Sequence, residues 1–280
     1  MKSKFKVMAA SAIAGCLLLS VSVTAFAASG GNGYQTFKDT VTSTFLTRNA
    51  TVSAQFEVKD NNAIVLSGNT VQKLDGQNSS SNTSLNIDGT TQTIETSRTA
   101  DKYIAKIGDQ YYSSAVHNRG RDVEKMNLSA SSSTVKLAET VADTLVGDVK
   151  NQFIANGNTI SVKLEGAQIP QLAKLAISAA AENVNNVSGH KGTEQDQGMK
   201  AVLSKIPQLS NIDVKSIEMT ATVSENTLTA NQYSIIITGV DANGVSHQIE
   251  ISVNAKVSDV NTTQSDTIDT TGKNVIAKQI

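Results

Sequence analysis

The chain is poor in the residues that usually announce chemistry. In 280 residues it has one cysteine, three histidines, no tryptophan and only 4% aromatic side chains. Its single cysteine, Cys16, lies in the N-terminal apolar stretch, so cutting after Ala27 would leave a chain with no disulfide, held by its core and strand pairing. Scarce aromatics argue against platforms that stack sugars or single-stranded bases on exposed rings. Basic clusters are missing as well: the densest is Arg119-Gly120-Arg121, read as a solvated loop. Three of the 24 basic side chains lie in the first six residues, and the rest of the chain is more acidic than basic by four. No electrostatic footprint for nucleic acid or an anionic membrane results. Beyond the N-terminal stretch no apolar run reaches the ~18 residues of a membrane span.

Catalytic and metal motifs are also absent. None of His117, His190 and His247 is paired by spacing with a serine elbow or a carboxylate, and His190, in Ser188-Gly189-His190-Lys191-Gly192, is the one histidine worth testing. Glu194 with Asp196, or Asp259 with Asp266, would need several more oxygens to hold calcium, and no Asp-x-Asp-x-Asp-Gly loop exists. Gly30-Gly31-Asn32-Gly33 reads as a flexible spacer and not as a phosphate loop. No cofactor motif is found. The sequence therefore points to no enzyme.

What is present begins at the N-terminus. Lys2, Lys4 and Lys6 precede an uncharged apolar run from Val7 to Val23, and Ala25-Phe26-Ala27 leads to Ala28. A basic region, an apolar region and small residues at a cleavage point make a secretory signal over 1–27, with cleavage between Ala27 and Ala28. The expected location is extracytoplasmic. Ile13-Ala14-Gly15-Cys16 offers a second reading, a lipoprotein anchored through Cys16; the short run before it and the apolar Leu17-Leu18-Leu19 after it favour release.

Past the signal the chain reads as one domain over 28–257 and a polar tail over 258–280. Tyr34, Phe37, Val41 and Phe45 follow helical spacing and predict a short amphipathic helix. From Ala50 the pattern alternates, with Val52, Ala54, Phe56 and Val58 on one face, which predicts a half-buried strand. Asp60-Asn61-Asn62, Asp75-Gly76, Asp88-Gly89 and Gly108-Asp109 then punctuate a series of strands, and such turns favour antiparallel neighbours. The Ser/Asn-rich stretch Gln77 to Asn82 is expected to be a mobile hairpin loop. A polar loop from His117 to Ser133, a helix from Thr134 to Lys150 and a hairpin about Asn156-Gly157-Asn158 follow.

Ile169 to Val184 stands out as a helix apolar on nearly every side, opened by Pro170. Next come a polar linker from Asn183 to Gln197 and a short helix from Met199 to Ile206. Three strands close the domain: Asp213 to Val223, Leu228 to Gly239 and Val245 to Val257. The tail is expected to be loosely attached, with a last short strand at Val275-Ile276. The pattern implies an α+β fold: one long curved antiparallel sheet, an unclosed half-barrel, with an N-terminal helix and two to three inserted helices packed on its concave face.

This order of elements resembles the LolA/LppX/LprG-like superfamily of bacterial exported proteins. The likeness is carried by Gly33-Tyr34-Gln35-Thr36-Phe37 leading into Val52 to Val58, by Asp88-Gly89, by the run from Lys102 to Tyr112 and by Asp269-Thr270-Thr271-Gly272-Lys273. It implies an unclosed barrel wrapped around helices, with acyl chains of lipids or lipoproteins on its concave apolar face. The apolar helix then becomes a lid or plug, with Leu172, Leu175, Ala176, Ile177 and Ala180 lining the pocket. Such residues also suit a plain core. The expected function is noncatalytic binding of a lipid or other apolar ligand. The alternative is a structural or interaction protein of the cell envelope that meets a protein partner through sheet edges and polar loops, and a hydrolase using His190 is a third reading.

Overall fold

A computed structural model of the chain describes residues 31–45, 47–87, 89–116, 147–175, 177–178 and 206–277. The expected signal segment with Cys16, Ala27 and Ala28, most of the helix expected from Thr134, the loop with His117, and the segment with Ala180 and His190 lie outside them, as does Ala176.

Helix α1, Gly31–Phe45, sits where the aromatic spacing puts it. Tyr34, Phe37 and Val41, at i, i+3 and i+7, form its buried stripe. They pack on Phe153, whose ring lies 4.7 Å from Tyr34 and 5.7 Å from Phe37. Gly33 is required here, because a side chain on it would meet the carbonyl of Phe153 at 2.7 Å.

The twelve strands of the described residues join in one open sheet. The first half is a meander of β1 (Asn49–Asp60), β2 (Ala63–Asp75), β3 (Asn78–Ile87), β4 (Thr90–Arg98), β5 (Lys102–Ile107) and β6 (Gln110–Ala115). The second consists of β7 (Ile154–Asn156), β8 (Thr159–Glu165), β9 (Ser210–Ser224), β10 (Thr227–Val240) and β11 (Ser246–Ser258), with β12 (Val275–Ala277) last. Their order across the sheet is β12-β6-β5-β4-β3-β2-β1-β11-β10-β9-β8-β7. The pairing of β1 with β11, from Thr51 opposite Ser258 to Asp60 opposite Ile249, fuses the two meanders. Every neighbouring pair is antiparallel except β12 with β6. Tight turns supply the reversals: Asn61 and Asn62 between β1 and β2, and Glu225 and Asn226 between β9 and β10, all have positive φ.

Two expectations are corrected. Gln77 to Asn82 is not a loop, because Asn78 to Asn82 belongs to β3 and a two-residue turn at Gly76-Gln77 suffices. Polar side chains there pair across strands in place of apolar contact: Thr70 with Thr83 at 2.9 Å, and Ser81 with Thr96 at 2.6 Å. Nor is the tail loosely attached. Residues 259–274 cross the sheet as a strap before β12 pairs with β6. Thr51, Lys73, Ser80, Ser97, Ile104 and Ser113 are successive cross-strand partners that start at Ser258 and end at Ala277. The strap follows that row. The amide of Asp266 donates to Ser80 Oγ at 2.9 Å, and Ser97 Oγ donates to the Asp266 carbonyl at 3.1 Å. Lys73 Nζ meets Asp266 Oδ1 at 2.8 Å.

Candidate functional site

The face of the sheet that carries the core is built from three parallel rows of cross-strand partners. The first holds Leu164, Ile217, Ile235, Ile251, Val58 and Leu66. In the second, Val162, Met219, Tyr233, Val253 and Phe56 lead to Gly68 and Leu85. The third differs in size: between Ile160 and Ile94 it holds Ala221, Asn231, Ala255, Ala54, Thr70 and Thr83, none more than 9% exposed. Alternation of side chains along each strand places all three rows on one face. A lane of small side chains thus runs beside two rows that are mostly bulky.

Polarity inside this face is local. Thr70 and Thr83 satisfy each other, whereas neither the oxygen nor the nitrogen of the Asn231 carboxamide has a hydrogen-bond partner. Asn231 is 2% exposed. Burial pushes the Tyr233 phenol above its ordinary range, so it stays a neutral hydroxyl. Helix α1 packs against β7, β8, β9 and β10, where Thr44 Oγ1 accepts the Leu228 amide at 2.8 Å. Across the other half, Leu85, Ile94, Ala105 and Tyr112 are also buried.

The expected pocket-lining segment divides. Residues 171–175 and 177–178 are helical, and the Lys174 amide reaches the Pro170 carbonyl at 3.0 Å. Ile169 is buried, and Ala173 and Ile177 pack on the core. Leu172 and Leu175, one turn apart, point outward and are 48% and 55% exposed. Lys174 ties this turn to β9 through Asp213 at 3.2 Å. Lys215 and Lys174 together hold the Asp213 carboxyl below the ordinary range.

Two polar grooves flank the core. One, of about 560 Å³, lies under the strap and is lined by Asp75, Asn78, Ser97, Thr99, Gln264 and Asp266 among others. Its hydroxyl, amide and carboxylate lining does not suit an acyl chain. The second, of about 400 Å³, lies at the end of β10 and β11 and includes His247. Sequence reasoning found no carboxylate for this histidine, yet the β1–β11 pairing brings Asp60 to its Nδ1 at 2.8 Å. Asp241 Oδ2 stands 3.8 Å from Nε2, which is buried without a hydrogen bond. His247 is therefore held between two carboxylates, and its Nε2 is shut off from solvent. The separation of 187 positions between Asp60 and His247 left no spacing to read. Among the described residues no group of three or more His, Cys, Asp or Glu side chains could hold a metal ion. Nor is any helix there long and apolar enough to cross a membrane.

No family model matches the chain, and no curated protein is similar to it. A crystal structure of a proposed thioesterase II from Thermobifida fusca aligns over 84% of this chain and 89% of its own at 11% identity. Its TM-score is 0.10, too low for the likeness to carry an argument. What stands is the architecture itself: among the described residues, one open, largely antiparallel sheet of twelve strands with few helices.

Proposed function

We propose that this is a noncatalytic exported protein that holds a lipid or other apolar ligand against the core-bearing face of its half-barrel, in the manner of the LolA/LppX/LprG-like proteins it resembles. The observation that supports the reading best is the outward pair Leu172 and Leu175, beside Ala173 and Ile177 that enter the core. A helix that buries one apolar edge and exposes another suits a lid that meets an apolar ligand or delivers it. The inserted helices expected on the concave face belong to the same proposal. Export rests on the N-terminal pattern ending at Ala27, and the absence of enzymatic activity on the lack of a catalytic constellation in the sequence.

Binding is tested with cis-parinaric acid, whose fluorescence rises in an apolar site. Saturable enhancement with the full chain, competed by palmitate, is the expected result. Enhancement no greater than that with a lipid-free control protein would overturn the proposal.

One observation favours the envelope-interaction reading. Strand β7 pairs with β8 only over Thr159 to Ser161, and it presents Ile154 at 65% exposure on the sheet's edge. A partner strand could extend the sheet there. A stable protein partner retained by the wild-type chain and lost on Ile154→Pro, without bound acyl compounds, would favour this reading.

A further inference from the structure

Asn231 is the one polar side chain among the four residues where β9, β10, β11 and β1 contribute to the small-residue lane, between Ala221 on one side and Ala255 and Ala54 on the other. A carboxamide offers one acceptor and two donor hydrogens. Left without partners in a buried place, such a group costs about 1–3 kcal/mol. An apolar residue of similar size would avoid that cost, so a purely structural account gives no reason for asparagine here. Six strands at ~4.8 Å spacing give the lane from Ala221 to Thr83 a length of about 24 Å, which accommodates an extended long acyl chain.

We propose that the lane is the seat of a primary fatty amide, with Asn231 reading the amide. The inference rests on the apolar-ligand function above and deepens it by naming the ligand class. A primary amide presents a carbonyl acceptor beside a syn N–H donor, so it pairs with both halves of the carboxamide: Asn231 Nδ2 donates to the ligand carbonyl, and the ligand N–H donates to Oδ1. An ester offers no donor and leaves Oδ1 unpaired. An ionised carboxylate also lacks a donor and brings a charge into an apolar face. The flanking alanines offer only methyl groups to the chain, and the Thr70–Thr83 pair closes the polar side of the lane on itself. Because both polar atoms of Asn231 are shut off from solvent, seating requires the core-bearing face to open, and binding is expected to be slow.

The test compares palmitamide with methyl palmitate, probes that share a chain and differ in the donor, on the full chain and on Asn231→Leu after long equilibration. The wild type is expected to bind palmitamide about tenfold tighter than the ester, the effect of one buried hydrogen bond. Asn231→Leu should equalise the two while its melting temperature stays level or rises. If Asn231→Leu does not fold, Asn231→Ala carries the same comparison. N-palmitoylglycine is a second control: its trans amide turns the N–H away from the carbonyl, so it should bind no tighter than the ester, and binding equal to palmitamide would overturn the inference. Equal affinity of the wild type for amide and ester, or an amide preference that survives the substitution, would overturn the inference and leave the apolar-ligand function standing. No binding of any probe would overturn both.

Discussion

The ring of Phe56 lies over Gly68, its cross-strand partner, and fills the place of the missing side chain. A Cβ on Gly68 would meet Phe56 Cζ at 2.6 Å and would crowd the Ser84 carbonyl of β3 more closely still. Glycine is thus required from two directions. Gly68→Ala is expected to destabilise the fold by about 1–3 kcal/mol, as overpacking does. Phe56→Leu added to it should recover only part of the loss, because the Ser84 carbonyl belongs to the backbone. Full recovery in denaturant unfolding of the double variant would contradict this packing.

Asn49 fastens the start of the strap. Its Nδ2 donates to the Thr263 carbonyl at 2.9 Å, and its Oδ1 accepts the Thr263 amide at 2.8 Å. Thr263 is 5% exposed. Asn49→Ala leaves both backbone groups short of partners, at a cost of about 1–3 kcal/mol. Hydrogen exchange should speed up over residues 259–274 and stay unchanged in β9 to β11. The exposed Lys73–Asp266 pair is worth less, and Lys73→Met should change stability by no more than about 1 kcal/mol.

The β10–β11 hairpin is organised by one carboxylate. Asp241 Oδ1 accepts the amides of Val245 at 2.8 Å and Asn243 at 2.9 Å, and the Val245 bond foremost holds the carboxyl below its ordinary value. Since the folded state resists protonation, the unfolded chain takes the proton first. The stabilisation is complete above about pH 4 and fades as pH falls through the lower folded value. Exchange protection of the Val245 amide should fall along that acid limb. In Asp241→Asn the pH dependence should disappear.

Leu172 and Leu175 contribute little to the fold because they are half exposed. Replacing both with serine should shift stability by no more than about 0.5 kcal/mol. If they serve an apolar ligand, cis-parinaric acid binding should weaken severalfold in the same variant. Unchanged binding would remove the helical turn at 171–175 from the proposed site.

The strands were legible wherever apolar alternation and Asn/Asp/Gly turns coincide, as in Val52 to Val58 and about Glu225-Asn226. The first half of β3 was not, because its Asn78 to Asn82 segment pairs through hydroxyls and amides and carries no apolar period. The strap was hidden for a related reason: its grip comes from Asn49, Ser80 and Ser97, far away in the chain and joined to it only once β1 to β4 have formed. The apolar character of Ile169 to Ile177 was plain, but not which leucines turn outward, since a helix apolar on all sides gives no face to choose. The small-residue lane and the Asp60–His247 contact are products of register. Single strands show nothing of Ala54, Ala255, Asn231 and Ala221 standing in line.

Native mass spectrometry of the protein purified from the organism that makes it tests the central claim most directly. The account predicts a chain beginning at Ala28 that carries one acyl-chain compound, released when the protein is denatured. A chain of bare polypeptide mass, whose lipid extract matches that of the buffer, would contradict it.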